Sequence, residues 1–265
     1  MHLTYSALVV YRGGVSSEKP LPSSDADVPG LEIGRTGQVV TFTLSDTEHG
    51  NQISGAMFDA MLAELKAQAS DPSARVLRIR ARGKVFCTGR ERKGRDVVTI
   101  RHEAARIIAV KRLLRTSSLI TVAEVQGDAF GFGFGLAILC DFVLVAEHAR
   151  LGFPEMRSGL TPVAIMAYLG EYALPRFAFP LVLFGDPIDP QQAKQIGLIS
   201  QVCQRDGLAG EADALVKRIL ELDPTAARRC KEFFQTAQQN SFDQNCRLAI
   251  ETLTVGSMNV LAREK

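Results

Sequence analysis

The sequence lacks an excess of charge of either sign. Its 265 residues hold 31 lysines and arginines against 29 aspartates and glutamates, a formal net charge of +2. A dedicated nucleic-acid binder has a basic face and a much higher isoelectric point, so no nucleic-acid partner is expected. Hydrophobic residues make up 46% of the chain, unlike a disordered or collagen-like sequence. The composition predicts a globular protein of one or two domains.

Cysteine is scarce, and no two cysteines stand close enough in sequence to suggest a pair. The cysteines are Cys87, Cys140, Cys203, Cys230 and Cys246. Their number is odd and no CxxC occurs, so neither a disulfide framework nor a metal site is expected. Reduced thiols are typical of cytosolic proteins, and the sequence therefore predicts a cytoplasmic location.

Long apolar runs are absent as well. The most apolar stretch, residues 129–146, contains Asp141 and three glycines, whereas a membrane span takes ~20 apolar residues without such charges. Near the amino terminus, Tyr11, Arg12 and Gly13 interrupt the first apolar run, so no signal peptide is expected. The sequence predicts no membrane partner.

The chain begins with a segment of different composition. Residues 16–30 carry three prolines, four serines and no aromatic residue, which is typical of an irregular linker. Residues 1–30 are therefore predicted to form an irregular extension, with a short strand at 3–10.

From Leu31 onward, strand and helix patterns alternate. Short apolar runs predict strands, at residues 38–45, 74–83, 118–127, 142–147 and 149–154. Helical spacing of apolar residues predicts helices, at residues 53–69, 97–114 and 136–140. Beyond Pro187 only helices are predicted, with breaks at Gly197 and at residues 206–207 and 223–224. This order of elements favours a sheet with helical crossovers, followed by helices.

A glycine-rich turn lies between a predicted strand and a predicted helix. Gly127, Gly131, Gly133 and Gly135 allow backbone to approach a ligand closely, and unpaired N–H groups at a helix start suit an oxyanion. The alternative is a tight packing turn between strand and helix. The nucleotide-binding patterns GxxxxGK[ST] and GxGxxG are not matched.

A second turn, residues 84–92, is strongly basic. Lysines and arginines crowd this turn and the residues that follow it: Lys84, Arg90, Arg92, Lys93 and Arg95. One interpretation is a backbone donor at Cys87 with cations nearby for phosphate groups. The other is a solvated surface loop.

These turns, together with a Phe-Pro-Glu sequence, resemble the crotonase (enoyl-CoA hydratase/isomerase) superfamily. The resemblance rests on HGNQIS (49–54), GKVFCTGRER (83–92), EVQGDAFGFGFGLAILCDFVLVAEHARLGFPE (124–155) and SGLTP (158–162). It implies an α/β fold, a crotonase-like spiral of ββα units followed by a C-terminal helical region. Residues 31–199 would form the spiral core, and residues 200–265 the helical region.

The resemblance also implies an acyl-CoA thioester substrate. The thioester oxygen would lie between the backbone N–H groups of Cys87 and Phe132, which would stabilise an enolate. Glu155 would move a proton at carbon 2 or 3 of the acyl chain, with a pKa raised by partial burial. The implied substrate- and CoA-binding residues are Lys84, Val85, Arg90, Glu91, Arg92, Gly131 and Gly135. Cys87 as a nucleophile is a weaker interpretation, because no histidine is placed in the sequence to activate it.

The sequence departs from the family pattern in ways that bear on the reaction. Gly135 stands where hydratases of the family carry a second glutamate, and Glu91 replaces an aspartate. Phe132 and Phe134 interrupt the usual glycine run. Simple hydration of a 2-enoyl thioester is therefore doubtful. Isomerisation, decarboxylation, thioester hydrolysis and a catalytically silent acyl-CoA-binding subunit remain as alternatives.

Two further expectations follow from the resemblance. No cofactor is implied beyond the coenzyme A of the substrate, and the assembly would be a homotrimer or a dimer of trimers. Asp128, beside the second glycine-rich turn, is a candidate substitute acid, whereas Asp141 is interpreted as structural.

Overall fold

The computed structural model describes residues 28–71 and 73–263. The predicted strand at 3–10, and the predicted irregular segment up to residue 27, lie outside the described residues.

The described strands form two sheets. They are β1 (Leu31–Thr36), β2 (Val39–Leu44), β3 (Val76–Ala81), β4 (Val85–Cys87), β5 (Ile120–Val125), β6 (Asp128–Phe130), β7 (Phe142–Ala146), β8 (Leu151–Gly152) and β9 (Gln201–Cys203). The larger sheet has the order β1-β2-β3-β5-β7-β9, and the smaller one β4-β6-β8. Only β1 and β2 pair antiparallel, while the other pairs are parallel.

Helices connect these strands and then extend beyond them. They are α1 (Gly55–Gln68), α2 (Val97–Arg115), α3 (Phe132–Ile138), α4 (Val163–Leu169), α5 (Pro175–Phe184), α6 (Pro190–Gln195), α7 (Leu208–Glu221), α8 (Pro224–Ala237) and α9 (Phe242–Arg263). None of the helices within residues 28–71 and 73–263 has the length and apolar character to cross a bilayer.

The chain alternates between the two sheets in repeating units. β3, β4 and α2 form one ββα unit, and β5, β6 and α3 form the next. In each unit the first strand joins the larger sheet and the second strand joins the smaller one. Parallel pairing requires a crossover between neighbouring strands, which the helices provide. The predicted spiral of ββα units and the helical C-terminal region are both confirmed.

Buried apolar side chains of the predicted strands form the core. Phe42, Leu77, Ile79 and Val125 are at most 1% exposed. Because parallel strands are covered on both faces, their sequences read as nearly continuous apolar runs. Such apolar runs are the signal that predicts strands at residues 38–45, 74–83, 118–127 and 142–147.

The prediction that only helices follow Pro187 is wrong at one place. β9 pairs in parallel with β7, with Leu144 opposite Gln201 and Ala146 opposite Cys203. A strand of three residues shows no usable periodicity, so only the pairing with a distant strand specifies it. The segment therefore extends the core sheet at its edge.

Other elements begin and end differently from the prediction. β1 pairs antiparallel with β2 and was not predicted as a separate strand. The predicted helix at 136–140 begins earlier, at Phe132, so the last two glycines of the turn lie inside α3. α4 and α5 were not predicted.

Candidate active site

A half-open cavity of about 400 Å³ lies between the two glycine-containing turns. Its walls come from Thr88, Gly89 and Arg90 of the first turn, from α2, from the start of α3, and from the segment 154–165. The walls are largely apolar, with a few charged groups facing inward. This combination is typical of small-molecule sites.

The start of α3 forms one wall of the cavity. Gly131 adopts a φ of +54°, a left-handed backbone conformation that glycine adopts without strain, and its N–H donates to the carbonyl of Gly152 at 2.9 Å. The first N–H groups of an α-helix have no intrahelical acceptor. No described residue accepts from the N–H of Phe132, and Phe132 lines the cavity. The geometry leaves this predicted donor available to a ligand.

The structure places Cys87 behind the cavity wall. Cys87 is fully buried in β4, and a Cβ added to Gly133 would lie 2.5 Å from the Cβ of Cys87. Its thiol donates to the carbonyl of Gly89 at 3.2 Å, and burial raises the pKa of the thiol to about 12. Because Cys87 is buried and does not line the cavity, and because its raised pKa disfavours the reactive thiolate, the structure gives no support to Cys87 as a nucleophile.

The backbone N–H that this turn directs toward the cavity is that of Arg90 rather than that of Cys87. The Ile53 N–H donates to the Gly89 carbonyl at 3.1 Å, and the Glu91 N–H donates to the Ile53 carbonyl at 3.0 Å. In a strand-like segment, successive N–H groups point to opposite sides. The Arg90 N–H therefore points away from Ile53, and Arg90 belongs to the cavity wall.

Four other predicted substrate-binding residues do not line the cavity. Lys84 is exposed, and Val85 is half-buried with its carbonyl accepting from the side chain of Asn51 at 2.7 Å. Glu91 pairs with Lys93 at 2.7 Å. Gly135 is buried within α3.

Glu155 does face the cavity. It lies in the 3₁₀ turn Pro154–Ser158, where Pro154 occupies the first position and restricts the backbone. Its Oε1 lies 3.0 Å from the place where a Cβ on Gly131 would stand. Its Oε2 is buried without a hydrogen-bond partner among the described residues. Burial raises the pKa of this carboxyl, although the positive charges of Lys111 and Arg92 oppose the rise.

Lys111 lines the same cavity and was not predicted. It is 5% exposed, and its Nζ donates to the Ala164 carbonyl at 3.1 Å and to the Tyr168 hydroxyl at 3.0 Å. Burial lowers the pKa of Lys111 to about 7, against the effect of the Glu155 charge. A lysine on the apolar stripe of α2, at i+4 from Ile107, was the available signal.

The space beside Gly135 is filled by α4. A Cβ at this position would lie 2.7 Å from the Tyr168 hydroxyl oxygen, and closer still to Cδ1 of Ile165. The Tyr168 hydroxyl donates to the Gly135 carbonyl at 2.8 Å. A glutamate side chain here would therefore have to displace Ile165 and Tyr168 of α4.

The basic turn is partly neutralised by carboxylates. Arg90 pairs with Glu103 at 3.3 Å. Its guanidinium is therefore less available to bind a phosphate group than the sequence indicated. Arg92 is exposed, lines the cavity and has no ion pair within the described part of the chain. Arg92 is thus the predicted cation best placed to meet an anionic group at the cavity.

Neither Asp128 nor Asp141 lines the cavity. Asp141 accepts from the backbone and hydroxyl of Thr121 at 2.7 and 2.8 Å and pairs with Lys231 of α8 at 2.7 Å. It joins the C-terminal helices to the core, in agreement with its structural interpretation. Asp128 accepts from the Arg150 N–H at 2.9 Å. Within residues 28–71 and 73–263, no cluster of three or more potential metal ligands occurs.

The chain is similar to known proteins in sequence and in fold. The family model for enoyl-CoA hydratase/isomerase matches residues 34–256. A putative enoyl-CoA hydratase of Thermus thermophilus is 30% identical over 220 residues, which cover 80% of this chain and 87% of that protein.

Solved structures agree in fold. An enoyl-CoA hydratase of Mycobacterium smegmatis superposes with a TM-score of 0.83 at 25% identity, over 87% of this chain and 92% of that one. A putative enoyl-CoA hydratase of Thermobifida fusca, solved in complex with CoA, superposes with a TM-score of 0.81 at 26% identity, over 88% of this chain and 95% of that one.

Proposed function

Because the chain belongs to the enoyl-CoA hydratase/isomerase family, we propose that it is an enzyme that acts on an acyl-CoA thioester through an enolate. The observation that carries the proposal is the shared cavity of Glu155 and Phe132. Glu155 contributes a carboxylate whose Oε2 has no hydrogen-bond partner among the described residues. Phe132 contributes a backbone N–H that has no acceptor among them.

The N–H of Phe132 and a second backbone N–H would hold the thioester oxygen. The orientation of the first turn supports Arg90 as the second donor, in place of the predicted Cys87. Removing a proton from carbon 2 moves negative charge onto this oxygen. Preorganised donors stabilise that charge, each by roughly 3 kcal/mol in comparable sites.

Glu155 would take and return the proton at carbon 2. The carboxyl lies beside Gly131, next to the donor of Phe132. Its raised pKa makes the carboxylate a stronger base than an exposed glutamate. The proposed chemistry moves protons only, so it calls for no metal or redox cofactor.

The rest of the cavity suits an acyl chain and a charged carrier. Ile107, Ile108, Leu160 and Val163 supply apolar wall, against which acyl methylene groups would pack. Arg92 at the wall would pair with a phosphate of coenzyme A.

The carboxylate of Glu155 alone supports proton transfer between carbons, as in isomerisation. Addition of water across the 2,3 double bond needs a further group that exchanges a proton with the water oxygen. Position 135 does not supply one, because glycine carries no side chain and Ile165 and Tyr168 occupy the space beside it.

Solvent deuterium exchange tests the proposal. In D₂O, butanoyl-CoA incubated with the protein is expected to gain deuterium at carbon 2, as measured by mass spectrometry. Binding of butanoyl-CoA without any deuterium uptake would contradict the proposed function and favour a silent acyl-CoA-binding subunit.

A self-associating assembly, the predicted homotrimer or dimer of trimers, is also part of the proposal. α9 exposes several large apolar side chains to solvent: Ile250, Leu253, Val255, Met258, Val260 and Leu261. Apolar surface of this extent on one helix is typical of a protein interface.

Sedimentation velocity is expected to show an oligomer that Leu253→Glu weakens, because a charge at a buried contact loses its hydration. Leu253 is 70% exposed in the single chain, so the substitution spares the fold of the monomer. Gln239→Glu, at an exposed polar site, is the control and should leave the assembly intact. A monomeric wild-type protein would refute this part.

A further inference from the structure

The amine of Lys111 is held in the cavity by neutral groups. Its two acceptors, the Ala164 carbonyl and the Tyr168 hydroxyl, leave one of its three ammonium hydrogens without an assigned partner. No carboxylate of the described residues lies within ion-pair distance of its Nζ. Burying an ammonium without a paired carboxylate costs free energy, so a lysine at this place needs an explanation beyond packing.

Lys111 and Glu155 face the same cavity without touching each other. Both line its wall, and Oε2 of Glu155 has no hydrogen-bond partner within the described residues. Nζ of Lys111 stands 5.5 Å from the ring centroid of Phe132, whose backbone N–H is the proposed oxyanion donor. A buried amine and a carboxyl group thus line one cavity together with the proposed oxyanion donor.

We propose that Lys111 is the second proton-transfer group of this cavity, which protonates the leaving hydroxyl of a 3-hydroxyacyl thioester while Tyr168 positions its amine. The inference rests on the proposed function and extends it from enolate formation to reversible loss of water.

The proposed step balances in atoms and charge. The Glu155 carboxylate takes the proton of carbon 2, and the electron pair of that bond forms the double bond between carbons 2 and 3. The bond between carbon 3 and oxygen breaks, and the Lys111 ammonium gives a proton to the departing oxygen, which leaves as water. Glu155 ends as the acid and Lys111 as the amine. The proton then returns from Glu155 to Lys111 through solvent in the half-open cavity, and hydration is the reverse sequence.

Lys111 is suited to this role by its surroundings. Its ordinary pKa would make a lysine a weak acid, and burial brings the pKa to about 7, where both protonation states are populated. The charged and titratable groups that face it are Glu155 and Tyr168, and Arg90 and Arg92 line the same cavity. Because the ammonium form is required, dehydration should fall as pH rises through about 7.

A purely structural role is the competing explanation, since Lys111 joins α2 to α4. Lys111→Met removes the proton and keeps much of the apolar stem. Lys111→Arg keeps a positive charge but is a very poor acid, because the guanidinium pKa lies above 12. Arg112→Met, at an exposed position of the same helix, is the matched control.

The test follows two reactions of the same proteins. Dehydration of 3-hydroxybutanoyl-CoA is read from the enoyl absorbance, and carbon 2 exchange of butanoyl-CoA from mass spectrometry. In both Lys111→Met and Lys111→Arg, the rate of dehydration is expected to fall by about 100-fold or more. The rate of carbon 2 exchange, measured at its pH plateau, should stay within about 10-fold of the wild-type rate. Tyr168→Phe should retain dehydration but shift its high-pH limb, because the amine loses one of its two fixed partners. Arg112→Met should match the wild type in both reactions.

The outcomes separate this inference from the proposed function. Full dehydration in Lys111→Met, rescue by Lys111→Arg, or an equal loss of both reactions would each overturn the role of Lys111. Exchange without any dehydration by the wild-type protein would overturn it too, with the proposed function intact. Absence of exchange in the wild type would refute the proposed function itself.

Discussion

Replacing Glu155 by glutamine is expected to reduce deuterium exchange at carbon 2 of butanoyl-CoA by at least about 100-fold, the usual contribution of a positioned general base. The amide keeps the shape of the side chain but cannot take a proton. Binding of butanoyl-CoA, measured by calorimetry, should remain within a few-fold, because the apolar wall and Arg92 are unchanged.

The pH dependence gives a second measure of Glu155. Because its carboxylate is the reacting form, exchange should rise with pH through a pKa above the ordinary value of 4.5, in the direction that burial imposes. Glu155→Gln should lack this rising limb. Glu147→Gln, at an exposed position, should leave both rate and profile unchanged. Exchange at the wild-type rate in Glu155→Gln would remove Glu155 from the mechanism.

Introducing a glutamate at position 135 is expected to unfold or strongly destabilise the protein rather than to improve hydration. The new Cβ would collide with Ile165, which is 2% exposed, and with the Tyr168 hydroxyl. Overpacking of a core costs about 1–3 kcal/mol, and a carboxyl buried there adds a comparable penalty. Urea denaturation of Gly135→Glu should show the free energy of unfolding lowered by at least about 3 kcal/mol.

Smaller substitutions separate the collision from other effects. Gly135→Ala should lose about 1–3 kcal/mol through the Cβ alone, and Ile165→Val in the same protein should recover part of that loss. Gly170→Ala is the matched control, because a Cβ at Gly170 meets no atom within 4 Å. A Gly135→Glu protein with wild-type stability would show that α4 moves aside to accommodate the side chain.

Sequence reasoning succeeded where the signal was local. The apolar runs of β2, β3, β5 and β7 predicted strands because most of their apolar side chains are buried in the core. Glu155 was singled out by its place after Phe-Pro in a series of ordered motifs, and the structure brings it to the cavity. The sequence also shows that position 135 is a glycine and therefore carries no second carboxylate.

Features that depend on contacts between distant segments could not be predicted from the sequence. Which N–H of the first turn faces the cavity depends on its pairing with Ile53, and this favours Arg90 over Cys87. Lys111 was overlooked because its partners, Ala164 and Tyr168, lie in a segment that the sequence pattern did not identify as helical.

The order of strands and helices, the two turns and the glutamate that follows them are encoded in short stretches of this chain. Backbone propensity and apolar periodicity act over a few residues, so each element can be predicted from its own stretch of sequence. The absence of excess charge, by contrast, said nothing about the cavity. There, folding brings Lys111 and Glu155 to the lining of one cavity. Folding also places Ile165 and Tyr168 of α4 in the space beside Gly135. Burial and electrostatic coupling depend on which side chains pack together in three dimensions, and these contacts exist only in the folded protein.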